Sequence, residues 1–169
     1  MNLIKQTLLV LTLTWGGFAQ ATIANMDTCF APNEGCDKKL IEFVSQSQKT
    51  LDVAIYNLTL KTYAETLVSL KKNGVTIRMV IDHEMAQDKL AQFQDLKNAG
   101  VQIKYGNTRG IMHNKFSIVD GQKIETGSFN YTVAATKMNY ENQIYLFDEK
   151  PVKAFKAQFE DLWTSGIDF

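Results

Sequence analysis

Apolar and polar positions along the chain follow two periods. Thr50–Tyr56 (TLDVAIY) alternates and is rich in β-formers, and Val75–Ile81 (VTIRMVI) is a second β-rich run, so both are expected as strands. Apolar residues from Leu40 to Val44 recur at helical spacing and predict a helix over Asp37–Ser47. Thr62–Lys72 and Ala86–Asn98 also read as helices, closed by Asn73-Gly74 and Ala99-Gly100. Val101–Tyr105 is a third strand. Phe116–Val119 and Lys123–Thr126 are short strands around Asp120-Gly121, a hairpin signal. A further strand, Gln143–Phe147, precedes a closing helix, Val152–Trp163, with Pro151 near its start. Strands alternating with helices through short connections argue for an α/β layered domain.

The 169 residues suit one core. No Gly-, Ser- or Pro-rich linker, repeat or low-complexity tract divides the chain. Its first part is different. Lys5 is the sole charge before Asp27, an apolar stretch runs from Leu8 to Trp15, and Ala19-Gln20-Ala21 follows. That order reads as a secretory signal peptide over residues 1–21, cleaved after Ala21, or else after Ala24. An uncleaved anchor is the alternative, but the apolar run is short of the ~20 residues a spanning helix needs. The expected product is a periplasmic or secreted protein with one domain over residues 22–169.

Export changes the reading of charge and cysteine. The mature chain would carry a net charge of −1, since the leader holds one Lys and no acid. Nucleic-acid binding then needs basic residues gathered at the site, for which Lys71, Lys72, Lys104 and Arg109 are candidates; a solvated mixed-charge surface is the plainer reading of each. Cys29 and Cys36 are the two cysteines, an even count that suggests a disulfide in an exported chain. Zinc is disfavoured, because two cysteines with no nearby histidine leave a tetrahedral site incomplete.

Candidate chemistry centres on one of two histidines. His113 and Lys115 stand two apart at the start of a predicted strand, which puts both side chains on one face. A neutral imidazole is a nucleophile or base, and an ammonium beside it anchors phosphate. The hairpin returns Ser128 and Asn130, also two apart, to the neighbourhood of His113. Asn130 can donate to an anionic oxygen without adding charge. This set suits an anionic substrate such as a phosphate ester. His83, after a strand end in Ile81-Asp82-His83-Glu84, is expected at the rim of the site; substrate contact, or a metal shared with Asp82 and Glu84, are its alternatives.

The spacing His113-x-Lys115, four residues, Asp120, six residues, Gly127-Ser128-x-Asn130 resembles the HKD signature of the phospholipase D superfamily at every position. The likeness runs over about residues 29–169. Glu125–Asn130 and Asn139–Asn142 look like the small bacterial Nuc-type endonucleases in particular. The resemblance implies a central mixed β-sheet flanked by helices. It also implies that His113 attacks phosphorus to form a phosphohistidine, that Lys115 and Asn130 bind the non-bridging oxygens, and that Glu141 hydrogen-bonds the histidine. Ser128 would support the ring or the phosphate. Asp120 belongs to the motif but looks more structural than catalytic, and reads equally as a turn residue.

The family mechanism uses two histidines, one to attack and one to protonate the leaving oxygen. One motif per chain therefore implies a homodimer with two copies of His113 across a two-fold axis, no metal and no other cofactor, and a bell-shaped pH–rate profile. The expected substrate is nucleic acid, DNA or RNA. Alternatives are a phospholipid head group, a single-strand RNase activity, or a binding module that keeps the motif as scaffold. Membrane association of the mature protein stays open.

Overall fold

The computed structural model describes residues 25–169; the expected leader and its cleavage site lie outside the described residues. In chain order the elements are β1 (Met26–Ala31), α1 (Cys36–Val44), β2 (Thr50–Ile55), α2 (Lys61–Lys72), β3 (Thr76–Ile81), a 3₁₀ turn (Met85–Gln87), α3 (Phe93–Asn98), β4 (Gln102–Tyr105), β5 (Lys115–Val119), β6 (Lys123–Gly127), α4 (Val133–Lys137), β7 (Glu141–Leu146), α5 (Glu149–Ser165) and β8 (Ile167–Asp168). All eight strands join one mixed sheet in the order β1-β7-β6-β5-β2-β3-β4-β8. Strands β2, β3 and β4 are parallel, because α2 and α3 return the chain along the sheet between them. The remaining pairs are antiparallel. This is the expected layered α/β domain with a mixed sheet.

Strand periodicity gives the sheet two apolar faces. Leu51, Val53 and Ile55 of β2 and Ile77, Met79 and Ile81 of β3 meet Leu40, Phe43, Leu67 and Leu96 of the helices α1, α2 and α3. The intervening positions Ala54 and Val80, with Phe116 and Ile118 of β5, meet Val152 and Phe159 of α5. Each large side chain so buried contributes about 1.5–3 kcal/mol. Arg78 lies on the α5 face, where an unpaired charge would be costly. It grips both oxygens of Asp52, at 2.8 and 2.9 Å, and reaches Glu160 of α5 at 2.7 Å.

The predicted helix over Ala86–Asn98 is not continuous. The Asp82 carboxylate accepts the N–H groups of Glu84 and Met85, and that of Asp88 accepts the N–H of Leu90, so local side-chain turns compete with the helix until Phe93. Three short elements carry no sequence expectation: β1, α4 and β8. Helix α4 begins where the Thr132 hydroxyl accepts the Ala135 N–H at 3.2 Å. Cys29 of β1 and Cys36 of α1 are joined by a disulfide, with Cα atoms 5.6 Å apart. No helix among the described residues is long and apolar enough to cross a membrane.

Candidate active site

The site forms where β2 ends and β5 begins. Antiparallel register sets Lys115 opposite Ile55, and the Tyr56 N–H donates to the Asn114 carbonyl at 3.0 Å. This stitching brings the Tyr56 ring against the His113 imidazole, with centroids 4.6 Å apart. His113 is exposed, whereas Lys115 is buried. The Lys115 ammonium folds back to donate to the His113 carbonyl at 2.9 Å and lies 5.2 Å from the centre of the Tyr56 ring. Burial pulls Lys115 below the usual lysine range, and the nearby Glu141 carboxylate opposes that shift.

The other wall comes from the ends of β6 and β7. A Cβ on Gly127 would fall 2.1 Å from the Asn142 carbonyl oxygen, so a glycine is what lets these strands close together here. Ser128 beyond it exchanges bonds with the same residue: the Ser128 N–H donates to the Asn142 carbonyl, and the Asn142 N–H donates to the Ser128 hydroxyl, both at 3.1 Å. The Ser128 hydroxyl in turn donates to Glu141. The second Glu141 oxygen accepts the Asn139 amide at 2.9 Å. Glu141 is thus held by Ser128 and Asn139, and the bond to the His113 ring that the resemblance implies is not made in the single chain. Asn130 is half-buried, and its side-chain oxygen has no partner.

Beneath these residues lies a buried polar chain. Tyr63 of α2 meets the Ser117 hydroxyl at 3.2 Å, Ser117 meets the Tyr131 hydroxyl at 2.8 Å, and Tyr131 donates to Glu125 at 2.6 Å. Ser117 and Glu125 face each other across the β5–β6 pair. Burial pushes the Glu125 carboxyl up to about 8, against the opposing pull of the Tyr131 hydrogen bond. Tyr131 follows Asn130, and its N–H donates to the Asn57 carbonyl at 3.1 Å, so this network fixes the backbone that carries Asn130.

Four motif residues therefore gather with Glu141: His113, Lys115, Ser128 and Asn130. Asp120, grouped with them on the strength of the motif, stands at the far end of β5, roughly 17 Å away at the usual rise per strand residue. Its carboxylate accepts the N–H groups of Gln48, Lys49 and Thr50, at 3.0, 2.8 and 2.9 Å. Partial burial raises its carboxyl, but those three bonds and nearby Lys123 outweigh the rise and hold it below the usual range. Asp120 thus has the structural place expected of it: it ties the hairpin turn to β2, away from the other motif residues.

The basic candidates divide in the same way. Lys71 and Lys72 end α2, which runs back from the site, so they lie at the opposite end of the sheet. Lys104 is committed to the Trp163 carbonyl at 3.0 Å and to the Trp163 ring. Arg109 alone stands on the segment leading to His113 and is exposed. His83 packs edge-on to Tyr105, 4.9 Å between centroids, in a groove of about 450 Å³ shared with Glu84, Asn107 and Ile111. Among the described residues no three His, Cys, Asp or Glu side chains converge as a metal cluster. Sequence reasoning missed Tyr56, whose signal was an aromatic residue at the C-terminal end of a predicted strand.

A family model described as cardiolipin synthase, PLD-like domain, matches residues 40–163. The mitochondrial cardiolipin hydrolase of Xenopus tropicalis is 32% identical over 141 residues, covering 82% of this chain and 67% of that protein. A phospholipase D of Rickettsia prowazekii is 28% identical over 143 residues, covering 85% and 70%. Nuc from Salmonella typhimurium, a phospholipase D family member, superposes with a TM-score of 0.80 at 26% identity, covering 87% of this chain and 99% of that one. NucT from Helicobacter pylori shares the fold, with a TM-score of 0.80 at 23% identity over 86% of this chain and 99% of its own. With its one His-x-Lys motif in a fold that spans nearly the whole of Nuc, the chain belongs to the phospholipase D superfamily, in the single-motif, Nuc-type branch, and is a phosphodiester hydrolase.

Proposed function

We propose that this phosphodiester hydrolase is an exported endonuclease that cuts DNA, and RNA as a second substrate, in a homodimeric site without a metal. The observation that carries the reading is the state of His113: one exposed imidazole, beside a buried ammonium and the half-buried Asn130 side chain, in a chain with no second His-x-Lys motif. One histidine cannot both attack phosphorus and protonate the leaving oxygen in the same step. A second copy across a two-fold axis supplies the missing acid.

In this scheme a His113 ring nitrogen attacks phosphorus while the P–O bond to the leaving nucleoside breaks. The partner's His113 gives its proton to that oxygen, then takes a proton from the water that hydrolyses the phosphohistidine. Lys115 and the Asn130 amide of each copy hold the non-bridging oxygens. Glu141 and Ser128 position these groups. Exposed Tyr140 and Met138, next to Glu141 in the chain, offer the apolar area that a subunit contact would cover. The Cys29–Cys36 disulfide accords with an oxidising compartment, as export would provide.

Nicking of supercoiled plasmid by the mature protein in EDTA, beside His113→Ala, tests the reading. Cutting by the wild type alone supports it, and no cutting by either protein contradicts it. Relatives named for cardiolipin hydrolysis and phospholipase D favour a second reading, cleavage of a phospholipid head group. Release of head group from anionic vesicles, with plasmid left intact, would select it.

A further inference from the structure

His113 sits on no regular element. It lies in the segment between β4 and β5, and what holds it there is specific. Its C-terminal neighbour Asn114 accepts the Tyr56 N–H at 3.0 Å. Its N-terminal neighbour Met112 is buried in the α5-side core, and the Met112 N–H donates to an oxygen of Asp82 at 2.9 Å. Asp82 is itself buried, 4% exposed, one residue past the end of β3. Its other oxygen accepts the N–H groups of Glu84 and Met85, at 3.0 and 3.1 Å. A Cβ on Gly106 would fall 2.6 Å from the Met112 side chain, and the Gly106 N–H donates to the Ile81 carbonyl at 2.9 Å. The segment is therefore clamped to the end of β3 at both its start and its finish.

We propose that Asp82 is a positioning residue for the phosphodiesterase reaction, its carboxylate fixing the segment that aims His113. The inference rests on His113 as nucleophile but not on whether the ester belongs to nucleic acid or lipid. Three backbone donors converge on Asp82 from two sides, so the residue must accept on both oxygens. An amide of the same shape has one accepting end. Asn at this position turns an NH₂ group either toward the Met112 N–H or toward the N–H groups of Glu84 and Met85, and one side of the clamp is lost. Small displacements of a reacting group are costly: about 1 Å of misplacement lowers a rate ~10²-fold. The Lys115 backbone is paired with Ile55 of β2, and the backbone beside Asn130 is fixed by the Tyr131 N–H on the Asn57 carbonyl, so both stay placed for phosphate when the clamp opens.

The test compares wild type, Asp82→Asn, Gly106→Ala, Asp52→Asn and His113→Ala with bis(p-nitrophenyl) phosphate, a diester that carries neither base nor lipid. Asp52→Asn breaks the bidentate grip on Arg78 on the α5 face and serves as a control for destabilisation without repositioning. Asp82→Asn is expected to lower kcat at least ~10-fold with KM within about twofold, and to speed hydrogen exchange at the Met112 amide. Gly106→Ala should shift kcat the same way by pressing on Met112, while Asp52→Asn lowers Tm and leaves kcat unchanged. An Asp82→Asn enzyme with kcat within twofold of wild type, or with unchanged protection at Met112, overturns the inference. If wild type matches His113→Ala on this diester, the nucleophile assignment fails instead, and Met112 protection alone then decides whether Asp82 holds the segment.

Discussion

The two ends of β5 hold side chains of one motif in opposite circumstances. At the Asp120 end every acceptor is used: three N–H groups from Gln48, Lys49 and Thr50 converge on one carboxylate. At the other end His113 is exposed and the side-chain oxygens of Asn130 and Asn57 are unpartnered. Folding satisfies buried polar groups almost without exception, yet Asn57 and Asn130 at this end, Glu125 beneath it and Gln143 of β7 each keep one side-chain atom unpartnered. Between the two, Ser117 and the buried tyrosines tie the strand to α2 and to the Asn130 backbone. One spaced sequence signature thus divides into the candidate site at one end and anchorage at the other.

Substitutions can break that division or sharpen it. His113→Ala should produce the largest effect, at least ~10³-fold in kcat with an unchanged Tm, since an exposed ring adds little to stability. Asp120→Ala should do the reverse. It should cost about 2–3 kcal/mol of stability through lost charge-assisted hydrogen bonds, while the rate per folded molecule stays within about threefold. Urea unfolding beside a rate assay separates the two cases. A loss of rate in folded Asp120→Ala equal to that of His113→Ala would erase the distinction.

Glu125 sharpens the comparison from beneath the site. Its carboxyl is raised to about 8 in the folded chain, against an unfolded value near ~4.3. The stability it contributes is complete below the unfolded value, declines as pH rises between the two, and is lost above about 8. Tm should therefore fall by roughly 8–16 °C from pH 5 to pH 8.5, and Glu125→Gln should flatten the decline. A wild-type Tm flat across that range would show that Glu125 is ionised throughout. Ser128→Ala is expected to have the smallest effect, a fall in kcat of about tenfold or less, because Glu141 keeps its Asn139 partner. A steady-state assay reads it directly.

Much of this was legible in the sequence, for identifiable reasons. Strands β2 and β3 and the helix between them alternate or repeat strongly because both faces of the sheet are buried there. The hairpin is announced by Asp120-Gly121. Strand β1 gave no signal because it is an edge strand: only Cys29 and Ala31 of its six residues are buried. Helix α3 was overextended because its first half reads as helical, while Asp82 and Asp88 divert the backbone into turns. In the candidate site, the spacing of the sequence placed His113, Lys115, Ser128 and Asn130 together, and the family resemblance added Glu141. Asp120 belongs to the same motif, and its turn position after β5 already marked it as structural. Tyr56 and the bond from Met112 to Asp82 escaped because they depend on how the strands pair: Tyr56 follows the end of β2 beside Asn114, and Asp82 lies one residue past β3.

The most direct test of the central claim is to trap the covalent intermediate. The protein is mixed with excess bis(p-nitrophenyl) phosphate, quenched in alkali, where phosphohistidine survives, and its peptides are weighed. The expected result is a nitrophenyl phosphoryl adduct on His113, an initial burst of p-nitrophenolate that matches it, and no adduct in His113→Ala. An adduct on another residue, or turnover that persists in His113→Ala, would contradict it.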